Sequence, residues 1–291
     1  MTRLRTKTWL LAATVVAVVA FVAIRVATFP SARLYQGKTI REWVPLLDPQ
    51  VGQEKKREEA AWAIMQTGTN AVSELERILA WRRNRLVETA QGYAIRFGFT
   101  TPPPIHPLEL QSRACEAAYN LAERANVDIS RLIPHLRYHF TNGTYADSNS
   151  SRALAHAGPA GIAVLTNLLF TGTRNVRDQA GWALHHVKSK PEVIAALIRS
   201  ASTETDQQIR ANFLLYLEGS RGPAEQLVPL GLKFIRSDDG YTRWAAASML
   251  RDYVSIAEVR SALEQALTDS DSRVRSAAER ALQEPPRKPS R

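Results

Sequence analysis

One short pattern recurs along this chain and limits its fold more than any other feature. It runs as a β-branched or polar residue, Arg, two variable positions, Ala, two variable positions, a small residue, then Leu or Ile. The clearest copy is Val274-Arg275 with Ala278, Ala281 and Leu282, and Val176-Arg177 with Ala180, Ala183 and Leu184 repeats it. Ile209-Arg210 with Leu217, Thr242-Arg243 with Ala246 and Leu250, and Lys56-Arg57 with Ala60, Ala63 and Ile64 follow the same scheme. Weaker copies end at Leu121, where Arg113 sits one position early, and at Leu154, where Asp147 replaces the arginine. The closing aliphatics fall at 64, 121, 154, 184, 217, 250 and 282, at intervals of 57, 33, 30, 33, 33 and 32. A period near 33 fails only across the first gap, which holds an insertion at 81–105. Units of this kind bury their apolar faces by stacking neighbour on neighbour.

Each unit predicts two helices. Val176, Ala180 and Leu184, four residues apart, make one helical stripe, and Val193, Ile194, Leu197 and Ile198 make the stripe of a second helix. Thr39 with Glu42, Ser189 with Glu192 and Ser255 with Glu258 have capping-box spacing. Pro159, Pro191 and Pro223 fall where a first turn tolerates a missing N–H. The Thr39 helix is expected to run through Trp43, Leu46 and Leu47. Strand-like alternation is absent, so the expected class is all-α.

The Val-Arg-x-x-Ala-x-x-Ala-Leu core, preceded by the Asp269–Ser272 turn, resembles the HEAT repeat over about residues 38–284, most specifically over 268–283. Its period is shorter than the roughly 40–47 residues of longer HEAT units and is similar to the compact HEAT-like repeats of bacterial proteins. Tyr35-Gln36-Gly37-Lys38-Thr39 followed by Trp43 resembles the lead-in of membrane-anchored bacterial HEAT proteins. The signatures of tetratricopeptide and ankyrin repeats are missing. The resemblance implies a right-handed α-solenoid of about seven helix pairs offering a surface to a protein partner. HEAT-like families also include bilin lyases and alkyl-base DNA glycosylases, so an enzyme of lyase or glycosylase type is the alternative it leaves open.

Residues 1–8 are basic, and from Trp9 to Ile24 no residue is charged. With Arg25 placed to snorkel, the apolar stretch 9–29 is 21 residues long, which at about 1.5 Å each matches a bilayer core of roughly 30 Å. The expectation is one transmembrane helix, the N-terminus cytoplasmic and the repeats extracytoplasmic, on the periplasmic side of a bacterial membrane. A cleaved signal peptide releasing a soluble exported binding protein is the alternative. Residues 30–37 then form a linker, 38–284 the solenoid and 285–291 a basic disordered tail.

The formal net charge of +10 suggests nucleic acid until it is located. Residues 1–30 carry +4, residues 81–105 carry +3 and the tail carries +3, which leaves the remainder formally neutral. A duplex binder neutralises several phosphates from its folded surface, so nucleic acid is disfavoured as a partner. A local basic excess in 171–200 remains.

Motifs that imitate chemistry fail on their details. Gly37-Lys38-Thr39 lacks the upstream Gly of a phosphate loop, where Ala32 stands. His135 and His139 are four apart without a carboxylate, and the adjacent His185 and His186 diverge by about 100° on a helix. Asp269-Ser270-Asp271-Ser272-Arg273 has Val274 where a calcium loop needs Gly. Cys115, the single cysteine, excludes internal disulfides and reads as a small core residue. No catalytic residue, metal site or cofactor is expected.

Two groups are candidates for partner binding. In 81–105, Trp81, Arg82, Arg83 and Arg85 continue a helix from about Ala71, followed by Phe97 and Phe99. They read first as a long helix with a stiff return loop, and second as an element that anchors a partner or faces lipid headgroups. The other group lies opposite the core stripe of the first helices: Trp62, Tyr119 and Trp182, two residues before their closing aliphatics, and Trp244, six before. Rings wedged between neighbouring first helices are the first reading and a partner-binding face the second.

Overall fold

The computed structural model describes residues 35–48, 54–80, 96, 107–142, 148–220 and 222–283. Residues 9–29, on which the anchor expectation rests, lie outside them, as do Trp81, Arg82, Arg83, Arg85, Phe97, Phe99 and the tail. Among the described residues no helix is long and apolar enough to cross a membrane, and there is no strand, only an isolated antiparallel bridge between Tyr35 and Lys38. That bridge closes a turn in which Gln36 and Gly37 have φ of 48° and 77°. The Gly-Lys-Thr run is therefore a turn feeding a helix.

Helix α1, Ile40–Trp43, opens with the expected capping box, the Thr39 N–H donating to Glu42 at 2.7 Å. It is shorter than expected because Pro45 has no N–H to return to Arg41, and Val44–Leu47 tightens into a 3₁₀ turn. Six helix pairs follow. They are α2 Glu54–Thr67 with α3 Thr69–Ala80, and α4 Pro107–Arg124 with α5 Ile133–Asn142. Next come α6 Ser148–His156 with α7 Gly158–Thr171, and α8 Arg174–His185 with α9 Pro191–Thr203. The last pairs are α10 Gln207–Leu217 with α11 Ala224–Phe234, and α12 Gly240–Leu250 with α13 Ala257–Ala266. A seventh first helix, α14 Ser272–Gln283, ends the described stack, so about seven pairs becomes six pairs and a half. At the other end α1 covers α2 and α3.

Two caps expected from spacing do not form. Pro191 takes the first helical position of α9, which leaves Lys190 rather than Ser189 at its cap. The Ile256 N–H bonds to the Tyr253 carbonyl at 2.9 Å, so α13 begins one residue after the position Ser255 would cap. Pro223 itself is the cap of α11, outside its first turn. Working caps come from acids instead: Asp206 accepts from the Ile209 N–H at 3.1 Å and Asp239 from the Thr242 N–H at 2.7 Å.

The first helices pack closely on one another, α8 on α10, α10 on α12, α12 on α14, while successive second helices touch sparingly. Small buried residues allow the close approach: Ala180, Gly181, Ala211, Ala245, Ala247 and Ala277. A Cβ on Gly181 would lie 2.5 Å from Phe213 Cε1 of α10, so only glycine fits there. A stack bends toward the layer whose rods sit closer, which makes the first helices the inner face.

The repeated arginine works at the turns. Arg177 forms a two-pronged pair with Glu204 at 2.8 and 3.0 Å and donates to the Gly172 carbonyl at 3.2 Å. Arg243 does the same with Asp269, at 2.8 Å on both prongs, and with the carbonyls of Ser237 and Asp238, each at 2.9 Å. Arg275 donates to the carbonyls of Asp269 and Ser270. Each guanidinium thus ties the turn before its own helix, and Arg177 and Arg243 also reach an acid in the next repeat. Ser237 stands where Glu204 and Asp269 stand in their repeats. Arg210 accordingly bonds only the Glu204 carbonyl, at 2.7 and 3.0 Å, and lies over the Phe234 ring at 5.5 Å.

Candidate functional site

The inner face gathers the residues that lie two before each closing aliphatic. Trp62 on α2 is 48% exposed and meets Tyr35 edge-on at 5.5 Å. Tyr119 on α4 is only 8% exposed, because the Arg152 guanidinium of α6 lies over its ring at 3.8 Å and His156 meets it edge-on at 5.4 Å. Trp182 on α8 is half-buried with His186 edge-on at 4.5 Å. Trp244 on α12 is half-buried against Tyr241 at 5.0 Å, and Arg273 of α14 lies over the Tyr241 ring at 5.6 Å. The four rings sit on one side of the stack but in separate environments. Tyr119 fits the wedged reading and Trp62 the exposed one.

Between α2, α4 and α6 this face sinks into a polar cleft of about 300 Å³. Arg57 and Glu116 line it and belong to an ion-pair chain that joins residues far apart in sequence. Arg57 donates to Glu116 at 2.6 Å, and Arg113 reaches Glu116 at 3.5 Å and Asp48 at 3.3 Å. Glu116 and Asp48 are buried, and two guanidiniums compensate the first of them. Glu54, Glu58 and Glu123 line the walls with Arg124, Arg152, Asn120 and Asn149. Sequence reasoning missed this cleft because no local motif encodes it. Its one trace was Glu116 and Asn120 flanking the alanines of α4.

The middle of the inner face is basic. Arg152 and His156 are one turn apart on α6, Trp182 and His186 one turn apart at the end of α8, and Lys190 follows one turn later. Burial pushes His156 below its ordinary value, and Arg152 and Lys190 add to this while Glu123 opposes it. Burial also lowers His186, helped by His185, Arg152 and His156 and opposed by Glu123. His185 touches the His186 ring edge-on at 5.7 Å, and its own ring N–H donates to the Tyr216 carbonyl at 2.8 Å. Burial lowers it too.

Farther along, a hydrogen-bonded ladder crosses three repeats. Asn212 and Tyr216 of α10 both donate to Asp178 of α8, at 2.9 and 3.1 Å, and the Tyr241 hydroxyl donates to Asn212 at 3.3 Å. Burial and the Asp178 carboxylate push the Tyr216 hydroxyl far up. The ladder consumes its polar groups internally, so it fixes helix spacing and presents little to a ligand.

Among the described residues no group of three or more His, Cys, Asp or Glu could hold a metal ion. Cys115 is buried. His139 donates to the Leu79 carbonyl at 2.9 Å, Asp269 is held by Arg243, and Asp271 is held to about 2 by the hydrogen bond from Arg273.

The family of HEAT repeats matches over residues 204–283, the stretch from the loop before α10 to the end of α14. No curated protein matches the chain. Among solved structures, two crystal structures of engineered proteins are similar, one at 23% identity and TM-score 0.42 over 83% of this chain and 67% of that one. The other has 21% identity and TM-score 0.37 over 84% and 94%. Human deoxyhypusine hydroxylase in complex with glycerol is similar at 12% identity and TM-score 0.33 over 84% and 94%. From the matched segment and the helix pairs that continue it toward the N-terminus, this is a HEAT-like repeat protein whose described residues form helices and no strand.

Proposed function

We propose that the chain is a non-enzymatic scaffold, held at a membrane by residues 9–29, which binds a protein partner across the inner face of its extracytoplasmic repeats. The observation that carries this reading is the inner face itself. Trp62 stands exposed at one end, and the rings of Trp182 and Trp244, with Arg152 and His156 of α6 and His186 and Lys190 just beyond α8, continue along it. Exposed aromatics and arginine are the side chains that interfaces concentrate. Seven first helices at about 8–10 Å spacing make a face roughly 60 Å long, ample for an interface of standard size. The anchor and orientation are supported by the basic flank and charge-free run of the sequence. The segment with Trp81, Arg82, Arg83, Arg85, Phe97 and Phe99 belongs to the proposal as a second contact, with partner or headgroups.

A photocrosslinking amino acid placed at Ser248 or Trp182, against outer positions such as Glu192 and Gln226, tests the face. A partner adduct from the inner positions alone is expected, and equal or exclusive adducts from the outer ones refute the reading. An alkaline phosphatase fused after Arg291 should be active in a bacterial host. An intact but inactive fusion refutes the orientation, and release of the protein by a carbonate wash refutes the anchor.

A further inference from the structure

Several arginines of the fold are held by carboxylates. Arg57, Arg113, Arg131, Arg174, Arg177, Arg243 and Arg273 all hold an acid within 3.5 Å. The middle of the inner face instead gathers several bases in one place. Arg152, His156, His186 and Lys190 come from two helices and the turn that follows the second, and none has an ion pair among the described residues. The Arg152 Nε is buried without a hydrogen-bond partner. We propose that this patch, braced by Tyr119 and Trp182, is a docking site for an acidic segment of a partner protein, with side-chain carboxylates seated between Arg152, His156, His186 and Lys190. The inference rests on the inner face being the binding face and adds the chemistry of what it takes.

Three observations favour an acidic peptide. The bases are pre-positioned: Arg152 is clamped on the Tyr119 ring and His186 on Trp182, so little side-chain freedom is lost when a carboxylate arrives. Among the described residues the acid facing the patch is Glu123 of α4, which opposes the lowering of both His156 and His186 and sits at the cleft edge. The adjoining cleft is acidic, with Glu54 and Glu58 on its walls. A nucleic-acid backbone carries charge at every step and would meet those acids. A peptide with a few clustered carboxylates would not.

The charged groups that face His156 and His186 are Glu123 from α4, Arg152 from α6, His185 from α8 and Lys190 from the turn beyond it. Without ligand both rings stay neutral to lower pH than a free histidine. A carboxylate beside them favours their protonated forms, so binding takes up protons and tightens as pH falls.

The test uses the full chain in detergent micelles and three fluorescein-labelled peptides, octaglutamate, octaglutamine and octalysine, followed by anisotropy at fixed ionic strength. Octaglutamate should bind, and bind at least about fivefold more tightly near pH 5.5 than near pH 7.5, a range over which glutamate stays ionised. R152Q with K190Q should weaken it about tenfold or more. Lys190→Glu should weaken it in the same direction without touching the Arg152–Tyr119 stack. His156→Gln with His186→Gln should flatten the pH dependence, and in the unmutated chain the NMR titration of both rings should move upward when octaglutamate saturates. Octaglutamate binding no more tightly than octaglutamine, or binding unchanged in K190E, overturns the proposal. So does displacement of the peptide by oligothymidylate at lower concentration than by unlabelled octaglutamate. An inner-face crosslink together with no octaglutamate binding would leave the scaffold reading standing and this one refuted.

Discussion

At the scale of the residue, the recurring arginine looks in the sequence like a surface base and in the structure is a turn fastener. Its role depends on carbonyls five and six residues earlier and on an acid about 27 residues later, distances at which no local pattern speaks. The repeats supply their own control, because Arg243 has a carboxylate partner and Arg210 has none. Arg243→Gln should cost about 2 kcal/mol of stability, and Arg210→Gln nearer about 1 kcal/mol, measured by denaturant unfolding of the two variants. Equal losses would mean that Asp269 contributes nothing. Histidines set a second prediction. His156, His185 and His186 all lie below 6.5 in the folded chain, so the unfolded chain binds more protons in the window beneath that value. Their contribution is complete above about pH 6.5 and is lost as pH falls through the folded values. Melting should therefore begin at lower temperature near pH 5.5 than near pH 7.5, and H156Q with H186Q should remove part of the difference. Paired carboxylates such as Asp206 and Asp269 also lie low, but their loss belongs to more acid solution.

At the scale of the element, helix existence and type were legible because a buried stripe at four-residue spacing has few alternatives. Val176, Ala180, Ala183 and Leu184 are all buried as their spacing requires. Helix starts were less legible. The serines at 189 and 255 have cap spacing, but Pro191 and the Tyr253 turn decide where those helices begin. The inner-face positions could be read as one side of each helix, but their environments could not. Tyr119 is covered because its neighbour happens to carry Arg152, and Trp62 stays exposed because only Tyr35 meets its edge among the described residues. The cleft with Glu116 and Arg57 was invisible for a related reason: it joins helices on opposite sides of an insertion. Gly181 marks how closely two such helices meet. Gly181→Ala should cost about 1–3 kcal/mol by driving a methyl into Phe213, and Phe213→Leu in the same chain should recover part of that loss. A neutral Gly181→Ala, measured by thermal melting, would show that α8 and α10 are free to separate.

At the scale of the whole molecule, α14 closes the inner layer with Val274, Ala277, Ala278 and Ala281 buried against its neighbours. A chain ended at Thr268 should expose the α12 surface, aggregate and melt earlier, whereas one ended at Glu284 should behave as the full chain. Equal solubility and melting of the two would show that the stack needs no cover. The two layers of the stack are also unequal, close-packed helices within and sparsely touching helices without. In mechanical terms the molecule is a bent spring whose inner leaf is stiff and whose outer leaf is compliant. A load that tries to shorten the inner face meets helix on helix at once, while a load that opens or twists the arc is taken up among second helices with few contacts to break. A partner held along the inner face would therefore be gripped by a surface of nearly fixed length but adjustable curvature.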